Sequence, residues 1–274
     1  MGGALIASPD MTTAGADSTQ TQQIGALGYL LEPQPQREII LWRAAVFGAT
    51  AFSIAGYAYS RMDDWWGHEY GPAHIKHDDW NGDNLAQTDE VSHMVFSYKI
   101  TQAGTGLAKW TGFSDGVSRI IGVGISGFIM TWVEYPVDAH NPLQGFGYTD
   151  MTANIIGISL ATARDIWPQH LQGLDLRFSI KPNSEVNDEF IAQTCNENDA
   201  FIYWLTYNPS DNFPVHPAIG YSANHNNDKR VAEREVYLGF GTSLAEIAGL
   251  IDPRWRSKLD FWSLYELSVA FRIE

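Results

Sequence analysis

The chain has 274 residues, 45% hydrophobic and 18% charged, with 10 Trp, 12 Tyr and 13 Phe. It is too apolar and too aromatic for a disordered polymer and long enough to bury a core without covalent staples. Seventeen basic against 32 acidic residues leave a formal charge of -15, which repels a polyphosphate backbone and excludes nucleic acid as a partner; the single cysteine, Cys195, excludes a disulfide framework.

In chain order, residues 1–36 carry no Lys or Arg and are rich in Gly, Ala, Ser, Thr and Gln, the composition of a polar tail. With no basic start leading into an apolar run, no secretory leader is expected there. Residues 37–172 read as a helical region with three apolar stretches, Ile39–Tyr59, Ile120–Val133 and Met151–Ala163. A lone bilayer-crossing helix needs about 20 apolar residues, and by length the first stretch comes nearest. Small residues (Gly122, Gly124, Ser126, Gly127, Ala153, Gly157) allow close helix approach, and Trp42, Tyr57, Trp65, Trp110, Trp132 and Tyr135 gather near segment ends as interfacial aromatics do. A membrane-embedded or membrane-apposed bundle is therefore expected.

Residues 173–274 change to period 2. Leu174, Leu176, Phe178 and Ile180 alternate with Asp175, Arg177 and Ser179, and Leu267, Val269, Phe271 and Ile273 repeat the pattern at the end. Phe201–Tyr207 and Glu235–Phe240 also read as strands, whereas Asp211–Pro217 and Tyr221–Asp228 read as polar loops. The strands are too few and too short for a transmembrane barrel. The expected fold class is α+β, a mainly helical membrane-associated bundle with a small C-terminal antiparallel sheet.

Three polar pairs meet the apolar segments. Thr88 reads as the N-cap of a helix that stacks Asp89 and His93 one turn apart; Thr149 reads as the cap of another that stacks Asp150 and Asn154. Glu134 and Asp138 are also four apart, although Pro136 between them kinks or ends the helix. Asp89 and Asp150 suit the positive N-terminal ends of helices without any further role, and a lone buried histidine is usually a satisfied core residue. Glu134 is different, because a carboxylate at a helix C-terminus meets the unfavourable end of the dipole and needs compensation. If these groups converge, Asp89, His93, Glu134, Asp138, Asp150 and Asn154 are candidate catalytic residues, and His93, Glu134, Asp138 and Asp150 are candidate ligands for a divalent metal.

The segments Thr88-Asp-Glu-Val-Ser-His93, Glu134-Tyr-Pro-Val-Asp138 and Gly145-Phe-Gly-Tyr-Thr-Asp150-Met-Thr-Ala-Asn154-Ile-Ile-Gly157 resemble the YfiM-type lipoproteins, a bacterial family of unknown function. Ala200–Thr206, Pro217–Tyr221 and Arg234–Leu238 are similar to its longer members from Bacteroidetes-like bacteria, and a looser form of the motif is similar to VanZ-like membrane proteins. The resemblance implies a cell-envelope, periplasm-facing location, helices against a membrane and a strand-rich C-terminal part. It implies no reaction. The chain departs from the family in lacking a lipobox cysteine near Met1 and in having Glu90 after Asp89.

Other signals carry less. Gly122-Val-Gly-Ile-Ser-Gly127 spells a dinucleotide fingerprint but lies within an apolar helical run with no strand before it. Ser126 lacks the second glycine of a nucleophile elbow, and the Asp- and His-rich stretch Asp63–Asp79 has metal-ligand types without a compact spacing. Cys195 has no adjacent cation to activate its thiol. Two functions remain. The first is a structural or accessory subunit of a membrane assembly or homo-oligomer, in contact with lipid, whose polar pairs set helix register. The second is an envelope enzyme or metal-binding protein using the His/Glu/Asp/Asn set on a lipid-linked or peptidoglycan-related substrate.

Overall fold

The computed structural model describes residues 38–61, 70–76, 80, 86–142, 144–171, 173–181, 200–208, 213–225, 232–252, 256, 259 and 265–273. The polar tail, Cys195 and most of Asp63–Asp79 lie outside them. Among the described residues the elements are α1 (Leu41–Ser60), α2 (Thr88–Thr111), α3 (Asp115–Trp132), α4 (Tyr148–Ile166), α5 (Pro168–Leu171), α6 (Leu244–Ile251) and strands β1 (Leu174–Ile180), β2 (Phe201–Tyr207), β3 (His216–His225), β4 (Ala232–Thr242) and β5 (Leu267–Arg272). The α+β class is as expected.

Helix α2 is the hub, packed by α3, α4 and the start of the sheet. It stops at Gly112, whose φ of +101° ends the helix in the left-handed region that favours glycine. Helix α3 starts at Ser114, whose hydroxyl accepts from Val117 N. The close approaches are made by glycines. A Cβ on Gly157 of α4 would lie 2.2 Å from Met94 O and Ser97 Oγ of α2, and one on Gly122 of α3 would lie 2.1 Å from Thr105 Oγ1. Gly122 therefore packs helices and holds no phosphate, which disposes of the dinucleotide fingerprint. Helix α1 is tied at its first turn, where Arg43 Nη1 donates to Trp110 O (3.0 Å) and stacks between Trp42 and Trp110. None of its residues is buried.

By length and composition, the described helix able to cross a membrane is Asp115–Asp138, with a third of its most apolar window buried. The second apolar stretch, lengthened at both ends, thus passes where Ile39–Tyr59 was expected to come nearest. Within it the helix breaks at Tyr135 (φ -146°, ψ 118°), before a cis Tyr135–Pro136 bond; the break falls where Pro136 was expected to impose one.

The sheet is antiparallel throughout, in the order β1-β2-β3-β4-β5. One expectation fails: residues read as loops at 216–217 and 221–225 belong to β3, the partner of β4 from His216↔Gly241 to His225↔Ala232. The turn-rich composition of Asn224 and His225 was overridden by ladder pairing. Glu266 N donates to Phe178 O (2.9 Å), so the chain entering β5 also bonds to β1 and the sheet curls toward closure.

Each of its two faces is covered in part, and the apolar residues of one are divided between core and surface. Leu176, Phe178, Phe201 and Tyr203 pack under α2 and α4 with Val95, Tyr98 and Ala161. Farther along the same face, Leu205, Ile219, Leu238 and Phe271 form one cross-strand row and are all exposed, as are Phe240 and Val269. The opposite face buries Asp175, Arg177, His216 and Glu235 beside an apolar cluster of Ile202, Trp204 and Ala218. The alternation in β1 and β5 was read correctly as strand, but its apolar side does not face the core in β5.

Substituting Gly157→Ala should destabilise the fold by about 1–3 kcal/mol, the usual cost of overpacking. Gly124→Ala, where a Cβ meets nothing within 4 Å, should instead stabilise it by about 0.5–1 kcal/mol through helix propensity. Chemical denaturation of the two variants beside the parent checks both signs.

Candidate functional site

The three polar pairs converge. Asp89 lies in the first turn of α2 and Asp150 in the first turn of α4, so two positive helix ends meet at one place. One ligand atom from each of Asp89, His93 and Asp150 lies within 4.8 Å of the others. His93 Nε2 is 3.6 Å from Asp89 Oδ1, and Nδ1 is 3.2 Å from Asn154 Oδ1. With Nδ1–H donating to Asn154 Oδ1, Nε2 is left facing Asp89, and a hydrogen bond of this kind fixes the orientation of an imidazole. Glu134 Oε1 is 3.3 Å from His93 Nδ1, a charge contact without hydrogen-bond alignment, while Oε2 accepts from Gly147 N at 3.1 Å. These contacts offset only part of the cost of a carboxylate at this helix end.

Sequence reasoning missed Lys76. Its Nζ donates to Asp89 Oδ2 (2.7 Å) and Asp150 Oδ2 (3.0 Å), bridging the two helices. Lys76 sits in an irregular segment with no periodicity, so no local signal marks it. What places it is Gly145: there φ is +101° and a Cβ would lie 2.6 Å from Lys76 N, so only glycine lets Lys76 N reach Phe146 O (3.0 Å). Gly147 has a parallel role, since a Cβ there would fall 2.0 Å from Asp150 Oδ2. The Gly-rich loop is thus an opening for Lys76 and Asp150.

Two capping assignments are corrected. Helix α2 begins at Thr88 itself, after Gln87 in the left-handed region (φ +61°) with no side-chain cap. Helix α4 begins at Tyr148 after Gly147, and the Thr149 hydroxyl donates to Glu90 Oε1 (3.2 Å) instead of capping. Ala86 (φ +48°) and Gln87 are consecutive non-glycine residues at positive φ. They are held from the sheet, where Tyr221 Oη donates to Ala86 O and Arg234 donates twice to Gln87 Oε1 (3.0 and 2.8 Å). Asp138 is half-buried at the edge of the site; neither it nor Glu134 belongs to the close trio.

Electrostatics follow from crowding five carboxyl groups (Asp89, Glu90, Glu134, Asp138, Asp150) around one lysine and one imidazole. Burial, and then the other carboxylates, push Glu134 and Asp138 up to about 8, and the same causes raise Asp150. Burial would raise Asp89 too, but His93 and Lys76 outweigh it and hold Asp89 below its ordinary value. For His93, burial would lower the imidazole, yet Asp89, Glu134 and Asp150 reverse the sign and raise it. Three buried polar atoms, Glu134 Oε1, Asp150 Oδ1 and Asn154 Nδ2, have no hydrogen-bond partner among the described residues. Such atoms are rare in native interiors.

Residues 78–165 match the model of a family described as predicted periplasmic lipoprotein (DUF2279). The matched segment runs from just before Asp89 to the end of α4 and so contains the site's helical residues. Its description agrees with the periplasm-facing envelope location read from the sequence, and with a lipoprotein-like family at that general level. No curated protein and no solved structure matches the chain.

Because Glu134 and Asp138 ionise at about 4.5 and 3.8 when free and about 8 when folded, the folded state binds more protons between those values. As regards these groups, stability in a metal-free buffer should therefore be greatest below about pH 4, fall steadily as pH rises through about 4 to 8, and level off above about 8. Glu134→Gln should flatten that decline, read from denaturation midpoints across pH.

Proposed function

We propose that this is an envelope protein that binds a divalent cation through Asp89, His93 and Asp150. The observation that carries the reading is the trio of unpartnered buried atoms set among crowded carboxyls whose mutual repulsion one lysine only partly offsets. A divalent ion supplies the missing positive charge and lets the raised carboxyls ionise. One imidazole with carboxylate oxygens suits Zn²⁺, Mn²⁺ or Fe²⁺ better than a thiolate-selecting metal. Asn154 orients His93, Glu134 and Asp138 shape the second layer, and Lys76 holds the two aspartates apart from solvent and in register.

A second reading, a structural or accessory subunit seated against lipid or neighbouring subunits, is favoured by a different observation. Apolar side chains lie outward on α1 (Leu41, Phe52, Ile54), on α3 (Ile120, Phe128) and along the sheet row, at 62–81% exposure for the first three. Such area exceeds what isolated surface residues explain. The finer assignment to YfiM-type or VanZ-like proteins belongs with this reading, as does membrane association.

For the first reading, ZnCl₂ or MnCl₂ added to chelator-treated protein should raise the melting temperature and release protons. His93→Ala and Asp150→Asn should abolish both effects while keeping the parent circular dichroism; metal-independent unfolding in both variants would support a purely structural role for the pairs. For the second, gentle extraction from native membranes should yield a large stoichiometric complex by size separation and mass spectrometry. A lone monomer would sink it.

A further inference from the structure

Strand β5 carries exposed apolar side chains and an open backbone edge together. Leu267, Val269, Phe271 and Ile273 share the outward side of the sheet, and Val269 and Phe271 are each 70% exposed. Water disfavours such side chains in proportion to the apolar area they present. Edge strands are commonly guarded against pairing by Lys or Pro, and Leu267–Arg272 contains neither. Its one charge, Arg272, is turned to Glu235 Oε1 (2.6 Å).

The direction of each backbone group follows from the ladder. Ile273 N donates to Val236 O (2.9 Å), so the alternate residues Phe271 and Val269 turn N–H and C=O toward β4, while Ala270 and Ser268 turn theirs away from it. Glu266 has the same parity as Ala270, and its N does point outward, to Phe178 O of β1 (2.9 Å). There β1 leaves the edge: Ile180 N donates to the Tyr265 hydroxyl (3.4 Å), a side chain, instead of to the β5 backbone. Among the described residues no strand pairs with the outer side of Ser268 and Ala270. Water would satisfy those groups but not the apolar side chains. Acyl chains would satisfy the side chains but leave the amide and carbonyl groups without partners. A second strand satisfies both.

We propose that β5 pairs antiparallel with β5 of a second copy of this chain, about a two-fold axis at Ala270. The strand is complementary to itself in that register. Its apolar residues at 267, 269, 271 and 273 are symmetric about 270, so Val269 faces Phe271 of the second copy and Leu267 faces Ile273, each twice. Ala270 exchanges N–H···O=C bonds with its counterpart. Arg272 falls opposite Ser268, so no like charges meet across the axis although each chain carries a formal charge of -15. The outward row of Leu205, Ile219, Leu238 and Phe271 then continues into Val269 and Phe240 of the second copy. This rests on the second reading of the function and deepens it, naming the neighbouring subunit as the chain itself. It involves no residue of the Asp89–His93–Asp150 trio.

The test is analytical ultracentrifugation of the purified full chain over a range of concentrations, beside Val269→Lys, Phe271→Lys and Ala270→Pro, each checked by circular dichroism. The parent should be a concentration-dependent dimer. Each lysine variant should weaken it by at least about tenfold. Ala270→Pro removes an outward N–H and no bond to β4, so it should abolish dimerisation and keep the fold. With Cys195→Ser as background, a mixture of Val269→Cys and Phe271→Cys chains should oxidise to a disulfide-linked pair far faster than either alone, which fixes the register and stands in for the proline variant should that one fail to fold. His93→Ala should dimerise as the parent does. A monomer at every concentration, a dimer indifferent to the lysine and proline variants, or a monomer that binds phosphatidylcholine vesicles through Val269 and Phe271 overturns the proposal. A purified monomer leaves the assembly reading standing if native membranes still yield a large complex, whereas a monomer from both sinks the two together.

Discussion

Helix α2 is buried on almost every side although it is not an apolar helix. Thr88, Glu90, Ser92, His93, Ser97, Lys99, Thr101, Thr105 and Thr111 are all buried along its 24 residues. A polar group removed from water without a partner costs on the order of 1–3 kcal/mol, so α2 forces its neighbours to supply partners. Ser126 of α3 answers Ser97 O, Asn154 of α4 answers His93, and Asp175 of β1 answers Lys99 at 2.9 Å. The register of both flanking helices and of the first strand follows from these demands.

The same helix also separates the molecule into two electrostatic compartments. Its N-terminal turns carry Asp89 and His93 into a carboxylate-rich site, where the helix dipole favours negative charge. Its last turns carry Lys109 beside Arg119 and Asp165, where the dipole favours cations. Between them, Lys99 connects to Asp175 and through it to Arg177, Glu246 and Glu266, a buried network that lies beside the apolar clusters of the sheet. Paired and hydrogen-bonded charges of this kind tolerate burial poorly when one partner is removed, so the network specifies how the sheet sits on the helices.

Much of the local architecture was legible. Period-2 alternation identified two of the five strands and bounding turn residues two more, the i and i+4 spacing picked out polar pairs that lie close together, and Pro136 marked a break that is present. Strand β3 was not legible, because Asn224 and His225 have turn-like composition and only pairing with β4 makes them strand. Lys76 was equally hidden. It reaches the site from an irregular segment whose path depends on a positive φ at Gly145, a contact between parts of the chain far apart in sequence.

What the sequence by itself determined is everything set by short-range periodicity: element type, the break before Pro136, and which polar residues share a helix face. Those depend on the backbone repeats of 3.6 and 2 residues, which any stretch of chain expresses locally. Only the tertiary structure decided that Asp89, His93, Asp150, Glu134 and Asn154 meet, that the apolar side of β5 points outward, and that Arg177 turns inward to Glu246 and Glu266. Convergence is set by helix crossings at Gly157 and Gly122 and by the compensation of buried charge. Both are long-range conditions that no single segment can state.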